Sequence, residues 1–170
     1  PGITCGADCT ESYDYNTSVT LTASASAGSI FTGWTGACSG TGACTVTMDA
    51  AKSVTATFKL IVDLTLTPDS TSIPRGGTLG YTVTATNNTS ISRTFKYWTY
   101  VNLPNGSRYP ATGELFGPIT VTLNPGQTRN THLTQIIPAS APLGVYTYHG
   151  KVGPYPAAGD SDSFTFSVTP

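Results

Sequence analysis

Short runs in which apolar and polar residues alternate cover most of the chain, the pattern of half-buried β-strands. The clearest is residues 19–25, with Val19, Leu21, Ala23 and Ala25 on one face and Thr20, Thr22 and Ser24 on the other. Runs at 44–48 and 53–58 follow, the second setting Val54, Ala56 and Phe58 against Ser53, Thr55 and Thr57. From residue 61 onward Val62, Leu64 and Leu66 alternate, then Leu79, Tyr81, Val83 and Ala85, then a mixed aromatic strand at 94–101, then Ile119, Val121 and Leu123. Strands at 131–137, 144–152 and 163–168 bring that part to seven. Between them stand the turn signals PRGG at 74–77, NNTS at 87–90, LPNGS at 103–107 and LNPGQT at 123–128. This spacing predicts an antiparallel sandwich for the second part.

The first third has too light an apolar face to make a core from its strands alone. The missing bulk lies in FTGWTGACSGTGAC, residues 31–44, and just before it: Ile30, Phe31 and Trp34, with a Gly-rich turn closed by Cys38 and Cys44. All four cysteines fall in the first 44 residues as two close pairs, Cys5 with Cys9 and Cys38 with Cys44. Zinc is the rival to disulfides, but the spacings lack tight CxxC knuckles and both histidines lie in the other part of the chain. Two disulfides and an oxidising compartment are the expectation.

Composition narrows the picture further. Charged residues make up only 10% of the 170, with Thr, Ser, Gly, Val and Tyr abundant and the helix formers Glu, Lys, Leu and Met scarce. The fold class expected is all-β. A change of composition near Lys59 divides it into 1–59 and 60–170, joined without a Gly/Ser linker and so stiffly coupled. A net charge of -1 gives no reason to expect nucleic acid or an anionic membrane as partner, and no apolar run is long enough to span a bilayer. The opening at Pro1, without Met or a signal-like apolar segment, implies a processed or excised start.

The phrases CGADC, YNTSVTLTA, GSIFTGWTGACSGTGAC and TVTMDAAKSVTATF, over residues 2–58, resemble the divergent InlB-type bacterial repeat. That resemblance implies a small β-grasp-like module of secreted and surface proteins. Family members carry a strand ahead of the Pro-Gly with which this chain opens. The expectation is therefore either a strand outside this sequence or an open sheet edge filled by a strand from another chain. The segments PRGGTLGYTVTATNNT, LNPGQT and PLGVYTYHGKV resemble Ig-like modules of bacterial secreted proteins. They imply an Ig-like or fibronectin-III-like sandwich in which Tyr146 or Tyr148 serves as the corner tyrosine.

Candidate sites are few. No GxSxG, HExxH, P-loop or dinucleotide fingerprint occurs, so neither an enzyme nor a cofactor is expected. His132 and His149 are single histidines in strands, read as surface or hydrogen-bonded. Asp160 and Asp162, with Gly159 and Ser161, offer hard oxygens for Ca²⁺, but a solvated turn is the expectation and no metal is assigned. On the aromatic strand, Trp98 and Tyr100 share a face. With Tyr109, Tyr148 or Tyr155 they make a platform for sugar rings or a neighbouring subunit, unless loops or inter-domain contacts cover them. Asn16, Asn87, Asn88 and Asn105 each begin an Asn-x-Ser/Thr sequon. The reading is a non-enzymatic extracellular structural or adhesive protein that self-associates or binds other surface proteins, with glycans as further partners. Accessory modules of a secreted hydrolase are the alternative.

Overall fold

The computed structural model describes residues 9–170. Among them the chain forms thirteen strands and no helix, and the contacts divide it into two compact units. One comprises residues up to Ser26 together with Ile30–Lys59; the other comprises Ala27–Ser29 and Leu60–Pro170.

In the first unit β1 (Ser18–Leu21) pairs antiparallel with β3 (Cys44–Thr47), setting Leu21 opposite Cys44, while β2 (Ser29–Gly36) pairs with β4 (Val54–Leu60). The strand expected at 19–25 ends at Leu21. Ala23 nevertheless packs on the core, so the alternation beyond Leu21 marks burial without pairing. Trp34, Cys44 and Val46 are the buried centre, with Phe31, Val54 and Ala56 against them. Phe58, expected on the buried face of its strand, is largely exposed. The Gly-rich stretch folds back on the indole: Gly40 O accepts the Trp34 amide at 2.8 Å, and Gly42 O accepts its Nε1 at 3.0 Å. The Cys38–Cys44 disulfide clips this loop, its Cα atoms 5.6 Å apart.

The second unit holds β5 (Val62–Pro68), β6 (Ser72–Pro74), β7 (Thr78–Asn87), β8 (Arg93–Asn102), β9 (Arg108–Tyr109), β10 (Phe116–Leu123), β11 (Thr128–Ile136), β12 (Gly144–Gly153) and β13 (Asp160–Thr169). One sheet runs β11-β7-β5; the other runs β10-β8-β12-β13-β6, with β9 also on β8. All pairings are antiparallel except β6 with β13. The first strand is thus split between the sheets, β5 lying on β7 and β6 lying parallel to the last strand. This is an all-β, immunoglobulin-like sandwich.

Its core brings Leu64, Leu66, Leu79 and Tyr81 against Tyr97, Tyr148, Val152 and Phe166. Tyr148 lies at the centre, its hydroxyl 2.9 Å from that of Tyr81 and 3.1 Å from Thr99 Oγ1. Tyr146 is the corner tyrosine: its hydroxyl donates to Pro142 O, four residues upstream, at 2.7 Å. Gly150 makes room for Leu66, since a Cβ there would lie 2.8 Å from Leu66 Cδ1.

The edges of the two sheets are treated differently. On β5 the side chains of the last strand replace a neighbour: Asp160 Oδ2 accepts the Leu64 amide at 2.8 Å and Asp162 Oδ2 the Leu66 amide at 2.7 Å. β6 is three residues long and ends in Pro74. β10 carries Pro118, which has no amide hydrogen, and its register slips between Phe116 and Ile119. Against β7, β11 runs through nine consecutive pairs without a break, from Thr128↔Thr86 to Ile136↔Thr78. Among the described residues its outer edge has no main-chain partner.

Candidate functional site

Pleating on β8 turns Phe95, Tyr97, Thr99 and Val101 into the sandwich and Lys96, Trp98 and Tyr100 outward. The outward rings do not form an open platform, the reading offered beside that of rings covered by loops. Trp98 is only 2% exposed, its indole met edge-on by Tyr155 with centroids 5.2 Å apart. Tyr148 is 1% exposed and belongs to the core, so its hydroxyl and ring serve packing. Tyr109 and Tyr155 are half exposed. Tyr100 is half-buried and already stacked: the His149 ring lies parallel at 4.5 Å, with the Arg108 guanidinium carbon 4.7 Å and Lys151 Nζ 5.2 Å from the Tyr100 centroid.

That cluster has its own electrostatics. Arg108 Nη2 donates to Glu114 Oε2 at 2.7 Å and to Gly113 O at 2.8 Å, which fixes the guanidinium over the ring. Burial, and secondarily the Lys151 ammonium, hold the His149 imidazole below its ordinary range. The neutral ring suits a stack beside two cations.

The other predicted residues resolve one by one. Asp160 and Asp162, expected in a solvated turn, lie in β13 instead and spend an oxygen each on β5 amides. Among the described residues no cluster of three or more metal-ligating side chains forms. His132 Nε2 lies 2.7 Å from Asp69 Oδ2, in the space left by Gly80. Asn16, Asn88 and Asn105 are exposed, Asn16 with φ 65° in a turn. Asn105 Oδ1 accepts from the Ser107 amide and hydroxyl at 3.0 and 2.7 Å. Asn87 is fully buried, which removes it as an acceptor of glycan. Its Nδ2 lies 2.8 to 3.1 Å from the carbonyls of Ile91, Leu123 and Asn124, and its Oδ1 accepts from Thr89. Cys5, and with it the predicted Cys5–Cys9 link, lies outside the described residues; Cys9 is exposed.

Sequence reasoning missed the open side of the sandwich, between β11 on one sheet and β9 and β10 on the other. Two apolar hollows line it. One, about 320 Å³, is walled by Leu79, Val101, Leu115 and Tyr146, with Ile136 and Tyr109 at its mouth, 68% and 52% exposed. The second, about 140 Å³, lies between Ile119 and Val121 of β10 and Arg129, Thr131 and Leu133 of β11. Leu123 and Thr128 are joined by four residues yet enter different sheets, so the chain crosses this side only at one end.

Residues 2–62 match the family model described as the divergent InlB B-repeat domain. Modules of that kind belong to bacterial surface proteins, and the Cys38–Cys44 bridge fits an oxidising compartment. Among solved structures the chain is similar to the alkylpurine DNA glycosylase AlkC of Pseudomonas fluorescens, bound to DNA containing an abasic-site analogue. That likeness has 14% identity and a TM-score of 0.53 over 65% of this chain and 31% of that one. The CARDB domain of the PF1109 protein of Pyrococcus furiosus matches at 19% identity and a TM-score of 0.47, over 64% of this chain and 90% of the other. A β-glucosidase of Listeria innocua in complex with glucose matches at 17% identity and a TM-score of 0.46, over 66% and 17%. The chain spans about a third of the length of the AlkC structure. At these identities the likeness is one of fold. No curated protein matches the chain.

Proposed function

We propose that this protein is a non-enzymatic structural or adhesive unit displayed outside a bacterial cell, part of a stalk or filament in which neighbouring subunits meet through sheet edges. The observation that carries the reading is the match of residues 2–62 to a surface-protein repeat, joined directly to an immunoglobulin-like sandwich. Support comes from the disulfide, which suits an oxidising exterior, and from Thr- and Ser-rich outward faces of low charge. Assembly through sheet edges would run head to tail. Negative-stain microscopy and light scattering of the native material test it: extended assemblies are expected, and monomers alone at high concentration would sink the idea.

The alternative of a sugar-holding accessory module loses its main support, because Trp98 and Tyr148 are buried and the Tyr100 ring is already met by His149, Arg108 and Lys151. A glycan array with Tyr100→Ala as control decides it: specific signal lost in the variant would restore that reading.

A further inference from the structure

We infer that the open side of the sandwich is an acceptor groove for one extended strand of a partner protein, added antiparallel to β11. The strand would have apolar side chains on one face and a carboxylate at its C-terminal end. This deepens the proposed function by naming where and by what chemistry a neighbour attaches.

The β5 edge is occupied by the Asp160 and Asp162 carboxylates, β6 is short and ends in proline, and β10 is broken by Pro118 and a register slip. Natural sheets blunt exposed edges in these ways, since an unprotected row of amides and carbonyls invites another strand. Only β11 keeps nine regular pairs, no proline and an outer row without main-chain partners among the described residues, where Gln135 Nε2 alone reaches one carbonyl, Ile136 O, at 3.1 Å. The run of unpaired groups fixes the occupant as an extended chain.

The hollows fix its side chains. One opens beside Gln135 and Ile136, the other beside Thr131 and Leu133. Those stations are about four residues apart along β11, so residues i and i+4 of an added strand, which share a face, would reach one hollow each. Both hollows are lined mainly by apolar side chains, so the occupants are apolar.

Charge fixes the direction. At the far end of the groove from Ile136 stands Arg129, which lines the second hollow and takes part in none of the three ion pairs among the described residues. At the Ile136 end Arg108 is already neutralised by Glu114, and Arg75 spends its Nε on Ala141 O at 2.7 Å. A strand antiparallel to β11 therefore brings an apolar residue to the Ile136 end first and a carboxylate to Arg129 last.

The test uses the full chain and the fluorescently labelled peptide KFTVTVTE, whose Phe, two Val and Glu share one face. Fluorescence anisotropy is expected to show saturable binding, with amide-exchange protection appearing along β11. Arg129→Glu is an exposed change that leaves the core intact; it should weaken binding about tenfold, and the peptide KFTVTVTK should restore it. Equal binding by the scrambled peptide TTFKVETV, unchanged affinity in Arg129→Glu, or no binding at about 1 mM, where any useful site would fill, would overturn the inference. So would a concentration-dependent dimer that protects β11 and excludes the peptide. The two readings fail separately: native assemblies that persist in a Thr131→Lys, Arg129→Glu variant would remove this groove and keep the structural role. Peptide binding by a protein that never assembles would do the reverse.

Discussion

Asn87 ties three backbone carbonyls to one side chain, at Ile91 in the turn and at Leu123 and Asn124 at the end of β10, while its side-chain oxygen orders Thr89. Removing it leaves buried carbonyls and an amide without partners, each costing about 1–3 kcal/mol. Asn87→Ala should therefore lower stability by about 2–3 kcal/mol, read as a shift of the urea midpoint at unchanged slope. Asn88→Ala, one position on and exposed, should leave the midpoint unmoved. Gly150 is the complementary case, where a side chain is excluded. Gly150→Val would push into Leu66 and cost about 1–3 kcal/mol by overpacking, checked by thermal unfolding. Neither role was legible in sequence: NNTS announces a turn but not which asparagine points inward, and Gly150 is simply one glycine in a Tyr-rich strand. Tyr100 shows the same limit, since its alternation gave the correct outward face while its cover came from Arg108, brought back by the β8–β9 hairpin, and from His149, distant in sequence.

Among elements, the clipped loop of residues 38–44 is the clearest case of a turn made rigid by covalent closure. The bridge spans a sequence separation of 6, and by loop-closure entropy its loss frees the unfolded chain by about 2 kcal/mol. Replacing Cys38 and Cys44 by Ser should lower the stability of the first unit by about that amount. Trp34 emission should follow that unit's denaturation, because the indole loses its Gly42 anchor with the loop. If reduction of the native protein leaves the midpoint unchanged, the clip is not stabilising. The strands themselves were readable because a period of two needs only local sequence: the runs at Leu79, Ile119 and Gly144 all reappear as strands. Pairing was not readable. It depends on which edges meet, and the aspartates of β13 look like a polar turn until they are seen on β5.

On the scale of the molecule the sandwich is built to stay neutral inside. Burial raises the hydroxyls of Tyr81, Tyr97 and Tyr148 above the ordinary 10.0. Unfolded tyrosines release protons near 10, whereas these retain theirs, so their contribution is fully present below pH 10 and is lost as pH rises beyond it. Absorbance at 295 nm should show these three ionising only as the fold opens, together with loss of near-ultraviolet circular dichroism. His149 acts at the other end of the scale. Its folded value lies below the ordinary 6.5, so the unfolded chain takes up a proton that the folded one refuses, and stability falls as pH drops below 6.5. His149→Gln should flatten that slope; an unaltered acid limb would show the imidazole to be irrelevant. The all-β class and the sandwich were legible as a whole because composition and spacing report them without any knowledge of contacts. The open side was not, since it is defined by a strand the sandwich does not contain.

The parallel pairing of β6 with β13 gives the sandwich a direction of mechanical strength. Chain enters at β5 and β6 and leaves after β13, with Ser72, Ile73 and Pro74 beside Ser167, Val168 and Thr169. Tension applied through those two ends slides the strands along each other, so their bonds and the Asp160 and Asp162 links to β5 share the load together instead of opening one at a time. The same elements peeled sideways would yield bond by bond. Pulled along the chain, the sandwich therefore resists in shear, the loading a tethered surface module experiences.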